Sequence, residues 1–311
     1  MVINAYIWGA FIVFILFLLV VDLGVFHRKS HEVKIKEALI WSGVWISLAM
    51  LFNYGVYLFM GKEKALEFLT AYLIEKSLSV DNLFVFIMLF SFFGIQSKYQ
   101  HKVLFWGILG ALIMRAFFIF AGVALISKFH WIIYIFGGLL VFTGVKMLFK
   151  KDEHVEPDKN ILVKLFKKLF PVSNDFHDGN FFVRINAKLY ATQLFIVLLV
   201  VEFTDLIFAV DSIPAVLAIS TDTFIIFTSN VFAILGLRAL YFALAGITQY
   251  FYYLKYGLSA ILVFVGVKMS IMGFYKIPIV YSLITIMGIL LGAVLFSVLF
   301  PKDKKIVEQI N

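Results

Sequence analysis

Five carboxylates lie within two segments that are otherwise as apolar as membrane-spanning helices. The segments read EKSLSVDNLFVF at 75–86 and VEFTDLIFAVDSIPAV at 201–216. The carboxylates are Glu75, Asp81, Glu202, Asp205 and Asp211. A charged side chain at the centre of a bilayer costs at least ~2.5–3.5 kcal/mol, so such residues are rare unless they have a functional role. The two segments therefore predict a polar site inside a membrane protein.

Helical spacing places neutral oxygen donors on the same faces as these acids. Residues seven apart on an α-helix fall on nearly the same side. Glu75 and Asn82 have this separation, and so do Asp205 and Ser212. Glu202 and Asp205, three residues apart, are neighbours on one face. We therefore predict a ligand set in which Asn82 and Ser212 join the carboxylates.

The remaining two acids require some departure from a straight helix. Asp81 and Asp211 lie about 120° around their helices from the other acids, so straight helices would not aim all of them at one point. Pro214 cannot donate a hydrogen bond to the carbonyl of Val210, which predicts that the second helix bends or opens there. Freed backbone of this kind is tolerated in a membrane where it lines a polar cavity.

The predicted ligand set is rich in oxygen, which decides the class of metal that it suits. Carboxylate, carbonyl and water ligands favour hard divalent cations such as Mn²⁺, Mg²⁺ and Ca²⁺. The sequence contains no cysteine, and its six histidines fall in or beside predicted loops. The predicted spans therefore lack the thiolate and imidazole ligands that softer metals prefer. Protons are a second candidate cargo, because buried carboxylates can titrate near neutral pH.

Two arginines in predicted spans leave the role of each acid open. Arg115 and Arg238 lie deep enough to pair with carboxylates, as buried charges usually must. In that arrangement some acids belong to structural ion pairs rather than to an ion site. The arginines could instead clamp a transported oxyanion, but the more numerous deep carboxylates would repel it.

The two acidic segments begin two related units of sequence. Three landmarks recur in the same order: a Val-Asp step in each acidic segment, an Arg-Ala pair at 115–116 and 238–239, and an apolar octapeptide. The octapeptide reads LVFTGVKM at 140–147 and LVFVGVKM at 262–269, which differ at one position. This order indicates an internal duplication.

Each unit contains three predicted spans, at about 67–149 and about 190–273. An odd number makes the second unit enter the membrane in the opposite sense, which is the inverted-topology plan of many secondary transporters. The sequence therefore predicts an all-α, polytopic membrane protein with about nine transmembrane helices and two inverted three-helix repeats. A duplication kept only for packing would not need five intramembrane carboxylates.

The composition supports the membrane assignment over the whole chain. Of its 311 residues, 63% are hydrophobic and 15% charged, whereas soluble domains have about 45–50% and 25%. We therefore expect a single integral membrane domain, 1–311, whose N-terminal apolar run is a retained span rather than a signal peptide. No nucleotide motif or nucleophile–base pair indicates an enzyme, and no cofactor is expected. The predicted spans are 5–26, 38–59, 67–92, 103–126, 131–149, 190–219, 223–246, 253–273 and 278–300.

The net charge of +8 reflects membrane topology rather than affinity for nucleic acid. Lysines and arginines concentrate in alternate connections, at 27–37, 94–102, 150–188 and the C-terminal tail. The positive-inside rule then predicts an inner-membrane protein with its N-terminus outside and its C-terminus in the cytoplasm. Within the long connection, ILVKLFKKLF at 161–170 predicts an amphipathic helix, lying either on the membrane surface or against the bundle.

Four segments resemble the TerC integral membrane family, in particular its Alx-like bacterial branch. They read EKSLSVDNLFVF, LVVEFTDLIFAVDSIPAV, FTSNVFAILGLRALYFALAG and YLKYGLSAILVFVGVKM. The likeness covers almost the whole chain, including DFHDGNFFVRINAKLYAT at 175–192. The resemblance implies manganese export across the cytoplasmic membrane, although the family is named for tellurite resistance. It also implies that the family's motif acids fall on the five carboxylates, with Asn82 and Ser212 beside them.

We therefore expect a secondary transporter that exports Mn²⁺ by alternating access, with protons as a candidate counter-ion. Its partners would be the divalent ion and the lipid bilayer, and its oligomeric state stays open. The alternative is a membrane-assembly or tellurite-resistance component that transports nothing and uses the carboxylates in interhelical ion pairs. The predicted metal site comprises Glu75, Asp81, Asn82, Glu202, Asp205, Asp211 and Ser212.

Overall fold

The computed structural model describes residues 5–24, 35–149, 166, 168, 170–173, 177–185, 188–245 and 253–300, without the side chains of 5, 21–24, 81 and 178. This part of the chain is almost entirely helical. The helices are α1 (Ala5–Gly24), α2 (Ile35–Met60), α3 (Lys62–Phe92), α4 (Ser97–Lys128), α5 (Ile132–Phe149), α6 (Gln193–Leu217), α7 (Thr223–Leu235), α8 (Leu237–Ala245), α9 (Leu254–Ile271) and α10 (Ile279–Leu299).

Seven helical stretches in the described residues are long and apolar enough to cross a membrane. Helices α7 and α8 form one of them, Thr223–Ala245, because only Gly236 separates the two. The other six are α2, α4, α5, α6, α9 and α10. Helix α3 has 31 residues but carries several charges in its middle, and the described apolar part of α1, Tyr6–Val20, is shorter. The fold is therefore an all-helical, polytopic membrane protein, as predicted, with nine helical segments in the described chain.

A short β-hairpin precedes α6, where the sequence predicted only a connection. Strands β1 (Phe182–Ile185) and β2 (Lys188–Ala191) pair antiparallel, and α6 then begins at Gln193 rather than at the predicted 190. The predicted amphipathic helix at 161–170 lies mostly outside the described residues.

Helix α6 continues through Pro214 and ends three residues later, at Leu217. The amide of Ala218 donates to the Pro214 carbonyl at 3.0 Å, so helical bonding resumes past the proline. Proline has no amide hydrogen to offer the Val210 carbonyl. The predicted weak point therefore lies in the last turn of a continuous helix.

The acidic helices α3 and α6 each pack against a helix of the other sequence unit. Helix α6 runs parallel to α4, since Gly107 faces Val201 and Gly122 faces Leu217. Helix α3 runs parallel to α7. Lys64 lies 3.7 Å from Asp222 near the start of both helices, and farther along Lys76 reaches the C-terminal part of α7.

The helices that carry the octapeptides, α5 and α9, pack against each other in antiparallel sense. Gly137 meets Gly266 and Ser270, whereas Gly144 meets Ser259, so residue numbers rise in α5 as they fall in α9. The Ser259 hydroxyl donates to the Gly144 carbonyl at 2.5 Å. Glycine is required here because a Cβ at Gly137 would lie 2.9 Å from the Gly266 carbonyl oxygen.

Candidate functional site

Arg115 of α4 connects the two acidic helices in the interior of the bundle. Its Nε and Nη2 donate to Asp205 Oδ2 and Oδ1 at 3.3 and 3.1 Å. Its Nη1 donates to Glu75 Oε1 and, at 3.2 Å, to Ser212 Oγ. Arg115 is 1% exposed, Glu75 0% and Asp205 5%. One guanidinium therefore joins α3, α4 and α6 through two buried carboxylates.

Three amide and hydroxyl donors complete the coordination of these carboxylates. Asn230 of α7 donates to Glu75 Oε2 at 2.9 Å, and Ser79 donates to Glu75 Oε1 at 3.3 Å. Asn82 donates to Asp205 Oδ1 at 3.3 Å. All four carboxylate oxygens of Glu75 and Asp205 thus accept a hydrogen bond. We call Glu75, Ser79, Asn82, Arg115, Asp205, Ser212 and Asn230 the central cluster.

The central cluster lies in apolar surroundings. Ile74, Ile119 and Ile213, from α3, α4 and α6, are buried in the hydrophobic core beside it. Two carboxylates and one guanidinium leave a formal charge of −1 in this set. Interactions between charges are strong in such a medium, and removing one partner of a buried pair is correspondingly costly. The cluster therefore connects several helices and carries a net negative formal charge.

Asp211 lies apart from the central cluster, toward α5. Its Oδ1 accepts a hydrogen bond from Thr143 Oγ1 at 3.0 Å, and its side chain is partly exposed. This placement agrees with the predicted 120° between Asp211 and Asp205 around the helix. The sequence did not identify Thr143 as a site residue. The signal was present, since Thr143 is the one octapeptide position at which the two copies differ, with Val265 in the second.

Glu202 is partly exposed and lies against α4. Its carboxyl occupies a notch at Gly110, where a Cβ would overlap both carboxyl oxygens. Glu202 lies one helical turn before Asp205, so the predicted face of α6 carries both acids toward α4. The glycine provides the space that this carboxyl needs.

Asp81 falls within helix α3, but its side chain is not among those that the structure describes. Among the described residues, no three histidine, cysteine, aspartate or glutamate side chains come together as a group that could hold a metal ion. The structure thus brings Glu75, Asn82, Asp205 and Ser212 together around Arg115, with Glu202 and Asp211 to either side.

Two further basic side chains are placed by the structure, one beside Glu75 in sequence and one in α8. Lys76, next to Glu75 in sequence, donates to the carbonyl of Ala233 at 3.1 Å, near the C-terminus of α7. A positive charge is favoured there by the helix dipole. A Cβ at Gly236, between α7 and α8, would lie 2.8 Å from the Lys76 ammonium, so glycine leaves room for it. Arg238 of α8 is also buried.

Comparison with known proteins identifies close relatives along almost the whole chain. Residues 60–305 match the family described as "Integral membrane protein TerC family". "Uncharacterized membrane protein STKORF319" from Myxococcus xanthus is 52% identical over 94% of this chain and 92% of its own length. "Putative membrane-bound redox modulator Alx" is 50% identical in Escherichia coli K12, over 91% of both chains, and 46% identical in Salmonella typhi, over 97% of both. No solved structure matches.

Proposed function

The chain belongs to the TerC integral membrane protein family, and on that premise we propose that it is a secondary transporter that exports Mn²⁺ across the cytoplasmic membrane. The observation that carries the proposal is the buried central cluster, which gathers two carboxylates at the meeting of helices from both sequence units. Charged side chains within membrane-spanning helices are rare, and they commonly mark ion pathways.

The donor chemistry favours a hard divalent ion. Glu75, Asp205 and Ser212 supply oxygen, Asn82 supplies an amide, and cysteine is absent from the sequence. Asp81, Glu202 and Asp211 would complete the set when the helices rearrange around the ion. Carboxylate and carbonyl oxygens suit Mn²⁺ better than they suit soft metals. Protons returning on the same carboxylates would provide the counter-ion.

Packing supports the inverted repeats that alternating access would use. The acidic helix of each unit runs parallel to the second helix of the other unit, α3 with α7 and α6 with α4, while the third helices α5 and α9 are antiparallel. Reciprocal packing, in which the first helix of each unit lies along the second helix of the other, is expected of two units related by a two-fold axis in the membrane plane. The nine spans, the N-terminus outside and the C-terminus inside belong to the same proposal.

The names of several relatives refer to redox modulation. This chain has no cysteine, so thiol–disulfide exchange on its own side chains is not available to it. Under the proposed function, any influence on cellular redox state would be indirect and would come from the manganese that the protein removes.

A membrane-assembly role without transport is the second candidate, and one observation favours it. Both Glu75 and Asp205 are already satisfied by Arg115 and neighbouring amides, as interhelical structural pairs would be. Under this alternative, purified protein neither binds nor moves Mn²⁺, and substitutions at the acids affect folding alone.

Manganese efflux from cells, together with thermal unfolding of the purified protein, tests the proposed function. The variants are Asp205→Asn and, as a matched control on an exposed site of α3, Glu63→Gln. We expect Mn²⁺ to raise the unfolding temperature of wild type and control, with Mg²⁺, Ca²⁺ and Zn²⁺ as comparisons. We expect Asp205→Asn to lose both efflux and the shift. Efflux equal to wild type in Asp205→Asn would remove this acid from the ion site.

A further inference from the structure

Three of the seven proposed ligands are held directly by one residue that is not a ligand, and a fourth binds one of those three. Glu75, Asp205 and Ser212 bind the Arg115 guanidinium directly, and Asn82 binds Asp205. We propose that Arg115 is a tethered cation that occupies the ion site in the ion-free state and must leave it when Mn²⁺ binds. This inference rests on the proposed function, and it assigns Arg115 a positioning role in the transport cycle.

The hydrogen bonds show why the ion and the guanidinium exclude each other. Each oxygen of Glu75 and Asp205 accepts a donor, and three of these four oxygens accept from Arg115 itself. Glu75 Oε1 and Asp205 Oδ1 each accept two hydrogen bonds, which use both lone pairs that a metal ion would need. The guanidinium at this position would also repel a divalent cation. Binding therefore requires Arg115 to withdraw from Glu75 or Asp205, and the state shown here is closed to the ion.

The charge balance explains what is gained when Arg115 replaces the ion in the site. A carrier that has released its ion must return with its buried acids exposed to little water, and uncompensated carboxylates in that environment are strongly unfavourable. Arg115 cancels one of the two negative charges of Glu75 and Asp205. One charge fewer then has to be neutralised by a returning proton or another cation.

Competition by a tethered cation also sets affinity. When only a fraction of the protein is in the binding-competent state, the apparent dissociation constant equals the intrinsic constant divided by that fraction, so binding is weaker. Arg115 keeps the site in the closed state, so its removal should strengthen Mn²⁺ binding while slowing the return of the empty carrier. A purely structural arginine would instead weaken binding and transport together.

Two transport modes in proteoliposomes separate these roles. Exchange of Mn²⁺ for Mn²⁺ needs only the loaded carrier to cross, whereas net Mn²⁺ flux also needs the ion-free carrier to return. The variants are Arg115→Gln and, as a matched control on an exposed position of β1, Arg184→Gln. In Arg115→Gln we expect exchange to persist and the ratio of net flux to exchange to fall on the order of tenfold or more, as an uncompensated buried charge implies. Mn²⁺ should also stabilise this variant against heat more than it stabilises wild type.

Loss of net flux and exchange in parallel in Arg115→Gln, or an unchanged ratio, would overturn the role of Arg115. If Arg115→Gln does not purify as a folded protein, Arg115→Lys provides a second test, because lysine keeps the charge and loses the two-pronged contact with Asp205. Because the charge is kept, the ratio of net flux to exchange in Arg115→Lys should stay near that of wild type. Mn²⁺ should stabilise this variant against heat more than it stabilises wild type, because a single ammonium competes less well for the two carboxylates. A smaller stabilisation than in wild type, or a tenfold lower ratio, contradicts the inference. Absence of any Mn²⁺ movement in wild-type liposomes would instead refute the proposed function.

Discussion

Arg115 holds Asp205 through two parallel hydrogen bonds, Nε to Oδ2 at 3.3 Å and Nη2 to Oδ1 at 3.1 Å, with both side chains buried. Arginine can make this paired contact with a carboxylate because its guanidinium is a planar fork, which the ammonium of lysine is not. It fixes α4 against α6 in the part of the bundle where the second acidic helix also meets the first. The stability of the protein and the proposed transport therefore depend on the same contact.

Asparagine substitutions at Asp205 and at Asp211 should lower the stability of the protein by different amounts. Asp205→Asn leaves Arg115 with less compensation and should destabilise the protein by about 3–5 kcal/mol, the range for breaking a buried pair. Asp211→Asn changes one hydrogen bond, to Thr143, and should cost about 1 kcal/mol or less. Thermal or denaturant unfolding in detergent measures the difference. Equal losses of stability would contradict the distinct surroundings of the two acids.

Gly110→Ala should impair transport through Glu202. The added methyl group would overlap the Glu202 carboxyl and force it out of its notch. Gly138→Ala is the matched control, because a Cβ there meets nothing within 4 Å. We expect Mn²⁺ efflux to fall in Gly110→Ala and to stay at the wild-type rate in Gly138→Ala, with both proteins present in the membrane. Unchanged efflux in Gly110→Ala would show that this position of Glu202 is not needed.

Gly266→Ala should destabilise the contact between α5 and α9. Its Cβ would lie 2.7 Å from the Gly137 carbonyl oxygen and 2.8 Å from the Val141 amide nitrogen, and neither backbone can yield easily. Overpacking of this kind costs about 1–3 kcal/mol. Gly288→Ala on α10 has open space and should be neutral or slightly stabilising, because alanine favours helix. An unfolding temperature of Gly266→Ala at or above that of Gly288→Ala would show that the two helices can separate without cost.

The proposed orientation can be read by cysteine labelling, since the native sequence has no cysteine. Phe274 is 91% exposed in the connection before α10, and Lys188 is exposed at the start of β2. An impermeant maleimide added to intact spheroplasts should label Phe274→Cys and spare Lys188→Cys until the membrane is opened. The reverse pattern would invert the proposed topology.

Sequence periodicity predicted the part of the site that depends on position along a helix. The seven-residue spacing correctly placed Asn82 with Glu75 and Ser212 with Asp205, and all four are in the central cluster. Asn230 lies outside the predicted ligand set, and it donates a hydrogen bond to Glu75 from α7. Ser79, one turn from Glu75, could have been found by the same rule.

Contacts between helices could not be predicted in this way, because they depend on how the helices pack. The sequence contains two arginines and five acids in predicted spans, but their spacing did not predict which arginine pairs with which acid. Helix α6 packs against both α3 and α4, and this shared contact is what brings Arg115 to Glu75 and Asp205. Likewise, the notch at Gly110 exists only because α4 and α6 are parallel neighbours. The hairpin at 182–191 was missed because four-residue strands in a polar connection produce little periodic signal.

Radioactive manganese uptake by liposomes that contain the purified protein tests the central claim most directly. With a Mn²⁺ gradient and no other protein present, wild type and Glu63→Gln should carry Mn²⁺ at equal, saturable rates. Asp205→Asn, selected as folded by its elution profile and unfolding curve, should be no faster than protein-free liposomes. Manganese uptake by wild type that does not exceed protein-free liposomes under any imposed gradient would contradict the account and favour the assembly role.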